Sequence, residues 1–304
     1  MVIRRVFNLL LILVFIPAVL YPAKSEDPLE QAARLFKNKK YEEAVSICER
    51  VKVTYPGSDW DLAARILAAK IHEKSGAIDR AVTEFSGIIS KFPEKGQAEE
   101  AYFSVGRLRA GAGRPKEAAS AFELYLKKYP RGAYAAAANF NIASIYRDAG
   151  DSRRALSYFE TILKKYPNEP WFYSWSAIYS GHIYMKRKDY DRAVESYLRV
   201  IDSDENRFLH TLSSLHRGQA SLEKKDYRTA AAIFQNILKT TNHFSEEALY
   251  GLGRAQYLNG DFVMARETLM TIVQMFPAGA WRVDAEKRIK AIDQGRAKKG
   301  EDIK

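Results

Sequence analysis

A chain of 304 residues, 47% of them hydrophobic, is long enough for one to three domains and apolar enough to bury a core, which excludes a disordered polymer. The formal charge of +11 admits acidic proteins, anionic membrane surfaces and nucleic acid as partners. Its single cysteine, Cys48, excludes an intrachain disulfide, so stability must come from packing.

The N-terminus carries Arg4 and Arg5, an apolar run from Leu9 to Tyr21, and the small residues Ala23 and Ser25 two apart. This is the three-part layout of a secretory signal, with a basic end, a short apolar segment and a small-residue cleavage site. Cleavage near Ser25 is expected, with export to the periplasm of a Gram-negative bacterium. The run is short for a hydrocarbon core of about 30 Å, and Pro17 interrupts it, so a membrane link is expected only if the leader stays uncleaved as an anchor. No cysteine stands near the cut, so a lipid-modified N-terminus is not expected. Loss of residues 1–25 leaves 45 basic against 37 acidic residues, a net +8.

Beyond the leader the chain repeats. "LKKYP" occurs at Leu126 to Pro130 and again at Leu163 to Pro167, with Ala118 and Ala155 each twelve residues before the proline. That alanine recurs as Ala44, Ala81, Ala118, Ala155, Ala193, Ala230 and Ala265, at spacings of 37, 37, 37, 38, 37 and 35. A period of this size predicts a solenoid of helical hairpins. Four and seven residues after each alanine stand apolar or aromatic residues, Phe122 and Tyr125 for example, and an i, i+4, i+7 set shares one face of a helix. Twelve residues before each alanine is a small one: Ala32, Ala69, Gly106, Ala143, Gly181, Gly218 or Gly253. It predicts a first helix that approaches the second closely, with the alanine as the matching gap. Gly76, Gly113, Gly150 and Gly260, five residues before the alanine, predict a left-handed turn, and Pro56, Pro93, Pro130, Pro167 and Pro277 predict the end of the second helix.

This pattern resembles the tetratricopeptide repeat family. The resemblance rests on the small residue, turns such as "GDSRRA" and "GDFVMA", the aromatic before the alanine (Tyr41, Tyr190, Tyr227, Phe262), the alanine and the closing proline. The long connections "YPGSDWDLAA", "YPRGAYAAAA" and "FPAGAWRVDA" are similar in style to bacterial envelope members, including the Tol-Pal coordinator family and the outer-membrane barrel-assembly lipoproteins. The coordinator's N-terminal coiled coil and the assembly protein's lipidated cysteine have no counterpart here. The resemblance implies an all-α fold, a right-handed α-α superhelix of about seven hairpins over residues 28–280. A capping helix over 281–297 and a frayed basic tail over 298–304 complete the expected layout. Glu205 and Asn242 stand where the fifth and sixth units should close with proline, so either the turns there are degenerate or Asp202 to Phe208 is a hinge.

No catalytic set emerges. The five histidines lie at unrelated repeat positions without clustered metal-ligand spacing, and no nucleophile elbow or phosphate-binding loop is present. Neither an enzyme nor a cofactor or metal site is expected. Function is expected in the groove that the first helices line in this family. Phe103, Phe140, Ile178 and Tyr250 lie three residues before the small position, and Lys70, Arg107, His182 and Arg254 one after it, so each pair shares a helix side; Arg147 adds charge at the rim. The alternative for the apolar row is inter-repeat core. Such a lining suits a protein or peptide partner with apolar anchors and carboxylates, in a scaffold for envelope assembly or maintenance. An accessory subunit that binds peptidoglycan or an anionic polysaccharide is the second reading. RNA binding by helical repeats is the third, and export argues against nucleic acid.

Overall fold

The computed structural model describes residues 27–200, 206–240 and 243–302. The expected leader over 1–25, the replaced prolines at Glu205 and Asn242, and most of the hinge segment lie outside them. The described residues fall into two compact units that divide after Gly132.

The first unit holds three hairpins: α1 (Pro28–Lys37) with α2 (Tyr41–Thr54), α3 (Asp59–Lys74) with α4 (Ile78–Lys91), and α5 (Gly96–Gly111) with α6 (Pro115–Lys128). The second holds four, α7 (Ala135–Asp148) with α8 (Ser152–Lys165), α9 (Pro170–Lys186) with α10 (Tyr190–Leu198), α11 (Arg207–Glu223) with α12 (Tyr227–Ile237), and α13 (Ser245–Asn259) with α14 (Phe262–Met275), followed by α15 (Arg282–Asp293). Each helix packs on its chain neighbours within its unit, and α7, α9, α11, α13 and α15 also touch in sequence, so a first helix meets the next first helix. The solenoid architecture and its hairpins are those the period implies.

Local chemistry sets the boundaries. The second helices α2, α4, α6, α8 and α14 stop two residues before a proline, and the aromatic that caps each has left the helical region, with φ of −127°, −129°, −127°, −128° and −125°. A proline disfavours helical backbone in the residue before it, which explains the shared geometry. The intra-hairpin turns need one left-handed residue. Glycine supplies it at Gly76, Gly113, Gly150 and Gly260, and where glycine is missing Lys39, Lys188 and Lys225 take φ of 59°, 58° and 67° at the same repeat position. The aspartate that follows then caps the second helix: Asp151, Asp189 and Asp226 accept the backbone N–H three residues on at 3.0, 3.3 and 3.2 Å.

All seven repeat alanines are fully buried, and the side chains four and seven positions later, from Cys48 and Val51 to Leu269 and Ile272, are buried too. The small position meets a different partner from the one expected. A Cβ on Gly106 would lie 2.6 Å from the Phe122 ring, on Gly218 2.6 Å from Phe234, and on Gly253 2.8 Å from Leu269. The glycine therefore admits the side chain four residues after the alanine, not the alanine itself. Rings are larger than a methyl and reach further, so they claim the gap.

Beyond α15 the chain turns at Gly295, and the Gly300 N–H donates to the Leu258 carbonyl of α13 at 2.9 Å. Two arginines hold the aspartate of this segment, as described below.

Candidate functional site

In the first unit α3 and the start of α5 enclose a groove of about 330 Å³. Leu62, Ile66 and Leu67 form its apolar side, and Lys70 lines it with its side chain exposed. Lys95 and Asp59 pair across one end at 2.9 Å. Phe103 and Arg107 are otherwise engaged. Phe103 packs on Phe122 and Tyr125 of its own hairpin, with ring centroids 5.3 and 5.9 Å apart. Arg107 forms a two-pronged pair with Glu73 of α3 at 2.6 and 2.8 Å, joining consecutive first helices. The guanidinium holds the Glu73 carboxyl below the usual range.

In the second unit the apolar row splits. Phe140 of α7 is half-buried and lies 5.2 Å from Trp171, 5.6 Å from Phe172, 5.9 Å from Phe159 and 6.0 Å from Tyr179. Trp171 remains 49% exposed, which leaves a face of this cluster open to solvent. Arg147 sits 4.0 Å over the Tyr179 ring and pairs with Asp148, so its charge is partly spent. Ile178 is fully buried with Ala177, Leu163, Val200 and Leu209, and it offers nothing to a ligand. The core alternative holds for this residue because α9 turns that face onto the hairpins on both sides.

His182 continues the ladder of rings. It contacts Tyr179 at 6.1 Å, Tyr197 at 5.9 Å and His216 of α11 at 4.6 Å, edge to face. Burial, then the neighbouring His216 ring and the Arg147 and Lys186 cations, lowers its pKa to about 4, and burial lowers that of His216 too. Two neutral imidazoles are thus packed as aromatic rings. Among the described residues no group of three or more His, Cys, Asp or Glu side chains is placed to hold a metal ion.

Tyr250 and Arg254 of α13 border a groove of about 480 Å³ between the C-terminal ends of α9 and α11 and the middle of α13. Met185, Leu222, Tyr250 and Trp281 make its apolar walls, and Lys186, Lys188, Glu223, Glu247 and Arg254 charge its rim. The fully buried Phe234 ring lies beneath the groove, packed directly against Gly251, where a Cβ would fall 2.5 Å from the ring. Tyr250 stacks on Trp281 at 4.4 Å and 11°, and its hydroxyl donates to Asp284, so it serves as a wall fixed by α15. Arg254 pairs with Glu223 at 3.4 Å and Asp302 at 2.7 Å.

Lys70 lines the first unit's groove and Tyr250 with Arg254 the second's, Phe140, Arg147 and His182 belong to the aromatic ladder, Phe103 packs within its own hairpin, Arg107 ties α3 to α5, and Ile178 lies in the core. Period-based reasoning passed over Gly251, Met185 and Lys188. Lys188 carried a signal, since a lysine at a turn position otherwise held by glycine points its side chain off the hairpin end. Gly251 carried none, because other repeats lack a glycine there.

Antiparallel helix pairs locked by a small residue under a ring, left-handed turns and grooves along the first helices define a tetratricopeptide-repeat protein, and tetratricopeptide-repeat families match residues 180–207 and 221–282. More particularly, the chain belongs to the YfiO family of outer membrane lipoproteins, whose profile matches residues 23–177. Cys48, fully buried in α2 and with its thiol pKa pushed up to about 12 by burial, is not a residue that can carry a lipid in the folded chain. No helix among the described residues is long and apolar enough to cross a membrane.

Solved structures agree on the fold. The C-terminal part of a TPR repeat-containing protein from Cytophaga hutchinsonii is 16% identical, with a TM-score of 0.59 over 84% of this chain and 98% of its own. The apo form of RapI is 17% identical, with a TM-score of 0.57 over 90% of this chain and 82% of its own. YrrB, described as a TPR protein with an unusual peptide-binding site, is 16% identical with a TM-score of 0.51 over 67% of this chain and 97% of its own. At these identities the likeness is one of fold alone. No curated protein matches the chain.

Proposed function

We propose that the protein is an exported, periplasmic scaffold, processed near Ser25, that holds an extended or helical segment of a partner protein in the groove of α9, α11 and α13. Membership of an outer membrane lipoprotein family supports the envelope placement. The observation that carries the binding site is the groove itself: about 480 Å³, with Met185 and Trp281 among its apolar walls inside a charged rim. Burying one large apolar anchor there is worth roughly 1.5–3 kcal/mol, and association costs at least about 4 kcal/mol. A micromolar complex, about −8 kcal/mol, thus needs several anchors, and the groove's apolar walls can meet more than one. In-cell photocrosslinking from Gln219, which borders the groove, should capture a defined protein, whereas a probe at exposed Glu267 of α14 should not. Capture from Glu267 alone would refute the site.

A second reading has its own observation. Trp171, half exposed beside Trp175 and Phe140, presents an aromatic face of the kind that sugar rings stack upon. If an envelope polysaccharide is the ligand, Trp171→Ala should abolish sedimentation with purified peptidoglycan and leave the Gln219 crosslink intact.

A further inference from the structure

Arg254, on the rim of the groove, is also held by the chain's own tail. Beyond Gly295 the tail makes a backbone bond from Gly300 to Leu258 and lays Lys299 over Gly260, which sets Asp302 between guanidinium groups from two helices. Arg254 Nε of α13 donates to Asp302 Oδ2 at 2.7 Å, and Arg288 Nη2 of α15 donates to Oδ1 at 2.6 Å. Both carboxylate oxygens are thus engaged, each by a different arginine. Arg288 is 2% exposed, and its other nitrogen, Nη1, donates to Asp284 at 2.8 Å. Arg254 is at once a rim residue of the groove, next to Tyr250 and Trp281.

We propose that Arg254 and Arg288 form a carboxylate-binding site, that Asp302 fills it in the resting chain, and that an acidic side chain in a partner segment lying in the groove displaces Asp302. This inference rests on the groove as the binding site. Arg288 is almost fully buried and loses one of its two carboxylate partners if Asp302 leaves, so the site favours a carboxylate whether or not the tail supplies it. Charge-assisted bonds of this length are the strong kind and recognise planar carboxylates.

The tail itself is lightly held. Of its residues only Ala297 packs against the core, and the rest from Gly295 to Asp302 are exposed. Its advantage is attachment, which gives a short tethered ligand a millimolar-scale effective concentration. A partner must exceed that, and it can do so by adding apolar anchors on Met185 and Trp281 of the groove wall. Burial favours protonation of Asp302, yet Arg254 and Arg288 together hold its carboxyl below the usual range, so the seated group is ionised at neutral pH.

The test uses full-length protein and a fluorescein-labelled peptide copying residues 294–304, followed by anisotropy. The Asp302→Asn chain, its tail released, should bind the peptide at least tenfold more tightly than the wild-type chain. Adding Arg254→Ala to that chain should remove the binding, and the same peptide bearing Asp302→Asn should not bind. Equal binding by the two chains, or of the two peptides, overturns the proposal. Crosslinking from Gln219 separates this from the groove itself: equal capture by wild-type and Asp302→Asn chains sinks the tail's gating role and leaves the groove standing. No capture by either, with the peptide behaving as expected, sinks the groove as a partner site and leaves the carboxylate site standing.

Discussion

Phe234 shows how much one ring can settle. It lies between Gly218 of its own hairpin and Gly251 of the next, with room for a Cβ on neither side. Gly251→Ala should gain about 0.5–1 kcal/mol of helix propensity and lose about 1–3 kcal/mol to overpacking. Net destabilisation of about 1–2 kcal/mol is expected in urea melts, with the Gln219 crosslink weakened as the ring beneath the groove shifts. His182 makes a prediction in pH. Its folded pKa of about 4 lies below the unfolded value of 6.5, so the unfolded chain binds more protons between those limits. Its contribution is therefore complete above pH 6.5 and drains away as pH falls toward 4, by up to about 1–3 kcal/mol for a partly exposed ring. Thermal melts from pH 7 to 4 should show that loss, and His182→Gln should flatten it. The small position was legible in the sequence because seven copies align. The meeting of His182 with His216 was not, because no spacing rule links residues on different helices.

At the scale of elements, the turns and the helix-to-helix ties carry different lessons. Lys225 occupies a left-handed turn, where a non-glycine residue costs about 1–2 kcal/mol and glycine's extra chain entropy costs about 0.5–1 kcal/mol. Lys225→Gly should raise stability by about 0.5–1 kcal/mol, read from the urea midpoint, without touching the groove. In the first unit α2, α3 and α4 are tied by ions. Glu84 accepts from Lys52 at 2.6 Å and Arg65 at 3.3 Å, and Arg65 pairs with the fully buried Asp61 at 2.7 Å. Glu84→Gln leaves two largely buried cations short of a partner and should cost about 2–4 kcal/mol. Glu73→Gln, which breaks the exposed pair with Arg107, should cost under about 1 kcal/mol by the same melts. Helix ends were legible because proline and aspartate act within a few residues. The Glu84 network was not, since its members stand 32 and 19 positions apart.

For the molecule as a whole, each helix leans on its neighbours in the chain, so stability is expected to be close to a sum of local terms within each unit. Hydrogen exchange should report this: Gly251→Ala should speed exchange in α11 to α14 and leave α1 to α4 unchanged. Uniform acceleration along the chain would show a single cooperative block instead. The sequence alone determined the all-α class, the hairpin repeat, its buried face and its turns, because all of these depend on contacts a few residues apart and were written several times over. It also pointed to the first helices as the place for a ligand. Only the tertiary structure decided which of their side chains are free: Ile178 went into the core, Arg107 into an ion pair, Phe140 into an aromatic cluster, and Arg254 beside Asp302, 48 residues away. Repetition specifies what every hairpin shares. A binding site is made of what they do not share, and those contacts exist only once the helices are packed.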